Sequence, residues 1–225
     1  MDKAHDIHVQ AETARESEQF IESLKLYEEA IVRYQEEKYA DGIAEALQGK
    51  LLTYKHLYLR TQDESYLTLC FFSAAASLEI IQEHDIHELK GSISFRLGEI
   101  AMLRKEYENA IEYYQNAIDN HHGIKAEIGD YRYHLGEALF LRGSKEAGKT
   151  IMLKGLKEIQ DNREGADQFL IHTWESGCYM KLAHLLRDEH AREYMNKAKE
   201  IIDNDPKLVI RRRQYEELSK ILRLA

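Results

Sequence analysis

The sequence predicts an all-α fold, and three features of its composition support that prediction. The 225 residues include one proline, far below the usual level of about 5%. The twelve glycines also fall below the usual level of about 7%. Glu, Lys, Leu and Ala, which favour helices, are abundant. Because a many-stranded sandwich or barrel needs far more turn residues, this composition excludes those folds.

Breaks in the apolar periodicity divide the chain into eleven predicted helices. The strongest break is Asp203–Pro206, where Pro206 is well placed to open the last helix. Asn120–Gly123 forms another predicted turn. The predicted helices cover residues 2–17, 19–37, 39–60, 64–83, 86–104, 107–121, 126–142, 145–160, 165–186, 188–203 and 207–225.

An internal repeat organises these helices. Phe95–Arg104 and Tyr133–Arg142 both read aromatic-x-Leu-Gly-Glu, then an apolar run, then Arg. A second signature follows each segment, in which a small residue, a large residue and another small residue stand at i, i+4 and i+7. Its copies comprise Ala110, Tyr114 and Ala117, then Gly148, Met152 and Gly155, with weaker ones at Ser23, Tyr27 and Ala30, at Ser73 and Ala76, and at Ala191, Met195 and Ala198.

Together the two signatures resemble the tetratricopeptide repeat, in a variant with longer helices. Small residues recur in such hairpins where two antiparallel helices approach closely. The resemblance implies a right-handed α-solenoid of about five helix-turn-helix pairs. It assigns residues 1–205 to the repeats and residues 206–225 to a C-terminal helix of the same domain. This last helix is expected to cap the stack with Leu208, Tyr215, Leu218 and Leu222.

Charge and cysteine content narrow the partners and the compartment. The formal net charge of −9 argues against nucleic acid and against anionic lipid as partners. Cys70 and Cys178 stand far apart and form no metal motif, which fits a reducing cytoplasm. The most apolar stretch, Leu67–Leu78, is expected to be too short and too polar to span a bilayer.

One motif suggests an enzyme and has a competing explanation. Gly143–Thr150 satisfies the phosphate-loop pattern G-x-x-x-x-G-K-[ST], in which Lys149 would neutralise phosphate and Thr150 would bind magnesium. That chemistry requires a buried strand before the loop, whereas a repeat helix precedes this one. We therefore expect Gly143 in an inter-helix turn and Gly148 at a helix contact.

Other chemical motifs give no catalytic, cofactor or metal site. His-Asp-Ile-His occurs at residues 5–8 and 84–87, but a third zinc ligand is evident near neither pair. These histidines are expected at the surface or at helix ends. We therefore predict that the protein is not an enzyme and uses no cofactor.

The resemblance implies that the first helix of each pair lines a concave groove. Phe95, Glu99 and Met102 share one stripe of such a helix at i, i+4 and i+7. The partner-binding candidates in the other first helices are Tyr133, Glu137, Phe140 and Trp174. Exposed aromatics would anchor a peptide, and the glutamates would prefer a basic one. The alternative is that the aromatics pack between repeats and touch no ligand.

The leading hypothesis is a non-catalytic scaffold or adaptor that binds a protein or peptide in this groove. The runner-up is a regulatory sensor of a signalling peptide, because longer-helix members of the family act in that way. A nucleotide-binding enzyme is a third hypothesis and depends on Gly143–Thr150. The sequence does not determine the partner or the oligomeric state.

Overall fold

A computed structural model describes residues 2–223 of the chain, and within that range it contains helices and no β-strand. The predicted all-α class is confirmed, and all eleven predicted helices are present with ends within four residues of the prediction. The helices are α1 (Asp2–Glu16), α2 (Phe20–Glu36), α3 (Ala40–Thr61), α4 (Glu64–Glu83), α5 (Lys90–Leu103), α6 (Tyr107–Asp119), α7 (Lys125–Arg142), α8 (Lys145–Asp161), α9 (Gln168–Leu186), α10 (Ala191–Asn204) and α11 (Val209–Leu222). A single 3₁₀ turn, His87–Leu89, precedes α5.

Consecutive helices pack as hairpins, which pair α1 with α2, α3 with α4, α5 with α6, α7 with α8, and α9 with α10. The chain divides into two compact units, Met1–His122 and Gly123–Ala225. Within the first unit, α2 also contacts α3 and α4 also contacts α5, while α1, α3 and α5 contact one another in succession. The right-handed solenoid remains a prediction.

The second unit contains the predicted C-terminal helix. α11 contacts both α9 and α10, and Leu208 is buried in their core, against which Tyr215, Leu218 and Leu222 pack. This contact confirms that the predicted stripe covers the final hairpin. Pro206 does not open the helix, because α11 begins at Val209. The last two residues of the predicted span lie outside the described residues.

Most turns between consecutive helices reverse the chain with a residue other than glycine. Glu18, Lys38, Asp85 and Lys105 each have a φ between 51° and 61°. In each turn the next N–H bonds the carbonyl five residues earlier, as in Gln19 N to Ala14 O at 2.8 Å. This is the backbone pattern of a Schellman cap, which usually places glycine at the left-handed position. Gly143 (φ 114°) has that role after α7, as predicted.

The closest helix contact joins α7 and α8. A Cβ added at Gly136 would lie 2.7 Å from the Gly148 carbonyl oxygen, and one added at Gly129 would lie 2.6 Å from that of Gly155. Both backbones therefore touch directly, which confirms the predicted role of small residues in this hairpin. In α5, by contrast, the missing Cβ of Gly98 makes room for the Tyr114 ring.

In α4 the predicted small-residue register is wrong by one residue. Ser73 and Ala76 were assigned to the buried signature, but the i, i+4, i+7 set that is fully buried comprises Cys70, Ala74 and Ser77. The Ser77 hydroxyl donates to the Ala44 carbonyl oxygen at 3.0 Å, which fixes α4 against α3. Because α4 is apolar on several sides, its periodicity did not distinguish the buried face.

The apolar stretch Leu67–Leu78, which we expected to be too short and too polar to span a bilayer, belongs to a longer helix, α4. Among the described residues it is the one helix that is long and apolar enough, by length and composition, to cross a membrane, with a mean hydropathy of 1.2. One third of that window (33%) is buried inside the protein. Helices in protein cores pass the same test, and α4 packs against both α3 and α5.

Candidate functional site

Two of the predicted aromatic anchors are core residues. Phe95 is 3% exposed and Tyr133 is 2% exposed. The Phe95 ring lies 5.4 Å from the ring of Tyr114 within its own hairpin, and Tyr133 belongs to the core of the second unit. These two aromatic side chains therefore pack between helices and do not line an exposed groove.

The other apolar candidates are half-buried. Met102 lies near the end of α5 and Phe140 near the end of α7, each partly exposed. Trp174 packs against the core of α9 and α10. Each retains some surface, but they do not join Phe95 and Tyr133 in an exposed aromatic column.

The two predicted glutamates are buried in ion pairs. Glu99 accepts from Lys55 at 2.6 Å and from Arg96 at 2.7 Å. Glu137 accepts from Lys181 at 2.6 Å. Each lysine lies 44 residues away in sequence, on the first helix of an adjacent hairpin: Lys55 on α3 and Lys181 on α9. Because these carboxylates are already paired with basic side chains of the protein, we expect a basic partner to bind to other acidic residues.

Such groups occur in the first unit, on α1 and α3. Glu12 and Glu45 are exposed, yet surrounding protein desolvates both carboxyls and raises the pKa of each. Asp41 and Glu12 raise the pKa of Glu45 further by repulsion, and His5 opposes them. Because Glu45 interacts electrostatically with Asp41, Glu12 and His5, these four side chains lie near one another. We call His5, Glu12, Asp41 and Glu45 the acidic recess.

Helix periodicity places these four residues on two facing stripes. Asp41 and Glu45 stand four residues apart on α3, and His5 and Glu12 stand seven apart on α1, so each pair shares one helix face. α1 contacts α3 directly. The sequence did not predict this group, because its members come from two helices and the repeated Leu-Gly-Glu motif occurs in neither.

A buried polar network lies next to the recess on α1. His8 Nδ1 is 3.2 Å from the Tyr34 hydroxyl, and Arg15 donates to the Tyr27 hydroxyl at 2.6 Å. Burial, followed by repulsion from His5 and Arg15, lowers the pKa of His8 to about 4. His8 is therefore neutral at pH 7. The expectation of surface or capping histidines is wrong for His8, which is 8% exposed, and is confirmed for His84 at the C-cap of α4.

The phosphate-loop match is helical. Residues 145–150 belong to the first turns of α8. The Thr150 hydroxyl donates to the Glu146 carbonyl oxygen at 2.9 Å, and Lys149 pairs with Asp188 at 3.7 Å. A phosphate loop follows a buried strand, whereas α7 precedes this segment and Lys149 is engaged by Asp188, so the arrangement lacks the structural context of a phosphate site. Over residues 2–223, His, Cys, Asp and Glu also form no group of three suited to a metal ion.

Comparisons with known proteins indicate a likeness in fold. No family model and no curated protein match the sequence. Among solved structures, the chain is similar to BtubC (BKLC) from P. vanneervenii, with a TM-score of 0.60 and 18% sequence identity. The match covers 97% of this chain and 80% of BtubC. At this identity the comparison shows that the two chains share an arrangement of helices.

Proposed function

We propose that this protein is a non-catalytic scaffold of tetratricopeptide-like helical hairpins that binds a basic peptide segment of another protein in the acidic recess. The observation that carries the proposal is that the exposed carboxylates Glu12 and Glu45 lie together with Asp41 on two helices in contact, α1 and α3. The repeated Leu-Gly-Glu helices and the contact of Gly136 with Gly148 support the repeat type.

The energetics of the recess favour a cationic ligand. Glu12 and Asp41 both repel the charge on Glu45, and the desolvation of Glu12 and Glu45 disfavours their ionised forms. In the free protein at neutral pH this arrangement is therefore a cost. A lysine or arginine side chain placed between the carboxylates relieves the repulsion and restores hydrogen bonds to the desolvated oxygens.

The net charge and the state of the cysteines are consistent with this proposal. An acidic chain with a net charge of −9 attracts a basic peptide more readily than nucleic acid or anionic lipid. Cys70 and Cys178 are free and buried, which supports a location in the cytoplasm.

The test is binding of a fluorescein-labelled octalysine peptide, followed by fluorescence anisotropy. We expect Glu12→Gln with Glu45→Gln to weaken binding about tenfold, equivalent to about 1.4 kcal/mol. The matched control is Glu108→Gln with Glu112→Gln on α6, which removes the same charge from two exposed carboxylates. Equal weakening by both pairs would show that net charge alone attracts the peptide and would refute the recess as the site.

A further inference from the structure

Tyr39 lies beside the acidic recess and leaves part of its ring in contact with water. It is the N-cap residue of α3, two positions before Asp41 and six before Glu45. The residue is 38% exposed. Its partial burial, followed by repulsion from Glu45 and Asp41, raises the pKa of its hydroxyl, so the phenol is neutral at pH 7. An exposed aromatic ring therefore adjoins two carboxylates of the recess.

Two neighbouring residues hold this ring in position. The rings of Tyr39 and Tyr34 lie 5.6 Å apart, with an angle of 60° between their planes. The Tyr39 backbone N–H donates to the Tyr34 carbonyl oxygen at 2.9 Å. A Cβ added at Gly42 would lie 2.7 Å from Cδ1 of either ring, so both rings pack directly against the backbone of α3. A ring that is already held in place loses little conformational entropy when a ligand binds to it.

The Tyr39 ring differs from a comparably exposed ring of the same unit in its neighbouring charges. Phe71 is 42% exposed and has the Arg104 guanidinium 5.2 Å from its ring centre. The cation–π contacts among residues 2–223 join Arg96 to Phe95, Arg104 to Phe71 and Lys197 to Tyr179. The charges that act on Tyr39 are those of Glu45 and Asp41, and both are negative. The surroundings of Tyr39 therefore favour a cation supplied by another molecule.

A guanidinium group suits this combination better than an ammonium group does. It is planar and weakly hydrated, stacks on an aromatic face, and donates two parallel hydrogen bonds to one carboxylate. Asp41 lies in the first turn of α3, where the helix dipole favours an ionised carboxylate. Methylated ammonium groups are bound by cages of several rings, whereas Tyr34 is 1% exposed and offers no second stacking surface.

From these contacts we propose that the acidic recess selects arginine over lysine, with the guanidinium stacked on Tyr39 and hydrogen-bonded to Asp41 or Glu45. This inference rests on the proposed function, because it names the side chain that the recess binds. Tyr39 sets the preference for arginine, while the charge of Glu12 attracts either cation.

The test compares fluorescein-labelled octaarginine and octalysine, which have the same length and charge, by fluorescence anisotropy. We expect the natural chain to bind octaarginine about fivefold more tightly. Tyr39→Leu should bring that ratio close to one by weakening octaarginine alone, and Tyr39→Phe should retain the ratio because the ring remains. The matched control is Tyr107→Leu, since Tyr107 is also partly exposed and stands between two exposed glutamates, Glu106 and Glu108. This control should leave the ratio unchanged.

A second variant tests the preference with the tyrosine in place. Asp41→Asn removes one carboxylate that accepts from a guanidinium, so it should weaken octaarginine more than octalysine. This measurement decides the question if Tyr39→Leu lowers the melting temperature. Equal binding of the two peptides by the natural chain, or equal losses for both in Asp41→Asn, would overturn the inference. A preference for arginine that survives in a folded Tyr39→Leu would also overturn it.

Failure of this inference is distinguishable from failure of the proposed function. If Glu12→Gln with Glu45→Gln weakens octalysine no more than the control pair on α6 does, the recess is not the binding site and both proposals are wrong. If that pair does weaken octalysine specifically, while Tyr39→Leu and Tyr107→Leu change the ratio equally, only the preference for arginine is wrong.

Discussion

Lys181 Nζ lies 2.6 Å from Glu137 Oε1, and this ion pair joins α9 to α7 in the second unit. The carboxylate side chain is 6% exposed, whereas the lysine side chain is 46% exposed. The pair therefore has one end in the protein interior and one end in water. The corresponding pair of the first unit, Lys55 with Glu99, is buried at both ends, since the lysine side chain is 16% exposed.

Removing the lysine should expose the cost of burying that carboxylate. We expect Lys181→Met to reduce the free energy of unfolding by about 2 kcal/mol, less than the roughly 3–5 kcal/mol of a fully buried pair, because water reaches the lysine end. Lys55→Met should cost less, since Glu99 keeps Arg96 at 2.7 Å. Urea denaturation measures both, and Lys181→Met with Glu137→Leu should recover most of the loss. Equal losses at the two sites would contradict this ranking.

Glycine-to-alanine substitutions should separate the two kinds of close packing. In Gly136→Ala the new Cβ would lie 2.6 Å from the Met152 backbone nitrogen, so the two helices must move apart at a cost of about 2 kcal/mol. In Gly98→Ala the nearest atoms belong to the Tyr114 ring, at 2.5 Å. The test is a double-mutant cycle for each pair.

In that cycle, Tyr114→Leu should relieve the cost of Gly98→Ala by about 1 kcal/mol. Met152→Ala should leave the cost of Gly136→Ala unchanged, because the clashing backbone atoms remain. Relief of similar size in both cycles would show that side chains, and not the backbone, set the contact between α7 and α8.

Protonation of His8 should destabilise the fold as the pH falls. Its pKa is 6.5 in the unfolded chain and about 4 in the folded protein, so between these values the unfolded chain binds more protons. The stabilising contribution is complete above pH 6.5 and declines toward pH 4 by up to about 3 kcal/mol. The comparison is with His8→Asn, which leaves unchanged the residues around this ring, His5, Arg15, Tyr27 and Tyr34. The free energy of unfolding of this variant should depend less steeply on pH. Identical slopes for the two proteins would disprove this role of His8.

The carboxyls of the acidic recess should behave in the opposite way. Burial raises the pKa of Glu12 and of Glu45 in the folded protein, so the folded state holds their protons more tightly than the unfolded chain does. Their ionisation destabilises the fold above the raised pKa, and that cost disappears as the pH falls through it. Glu45→Gln should therefore raise the melting temperature at pH 7 and have little effect at pH 4. A gain in stability together with a loss of octalysine binding would distinguish a binding site from a structural one.

The helices could be predicted from the sequence because the signals for a helix lie within the helix itself. Few breakers and clear periodicity defined α7 and α8, and the glycine at the end of α7 marked the turn between them. The register of α4 was not predictable, since apolar residues on several faces give no single stripe. The same apolar excess is what leaves Leu69 and Phe72 in contact with water.

The candidate site was harder to predict because its geometry depends on pairs of helices. Glu99 and Glu137 were identified by their motif, but their partners Lys55 and Lys181 lie 44 residues away and carry no signature. The burial of Phe95 and Tyr133 likewise depends on how neighbouring helices meet. The acidic recess combines Glu12 with Glu45 across two hairpins, which no spacing along one helix reveals.

The turns between helices have a consequence for how much the sequence of such a fold can vary. Backbone hydrogen bonds stabilise the turns at Glu18, Lys38, Asp85 and Lys105. Many different polar side chains are therefore compatible with each of these turns. Substitutions can accumulate at such corners without altering the path of the chain. A similar arrangement of helices can thus be built from very different sequences, as the 18% identity to BtubC over 97% of this chain illustrates.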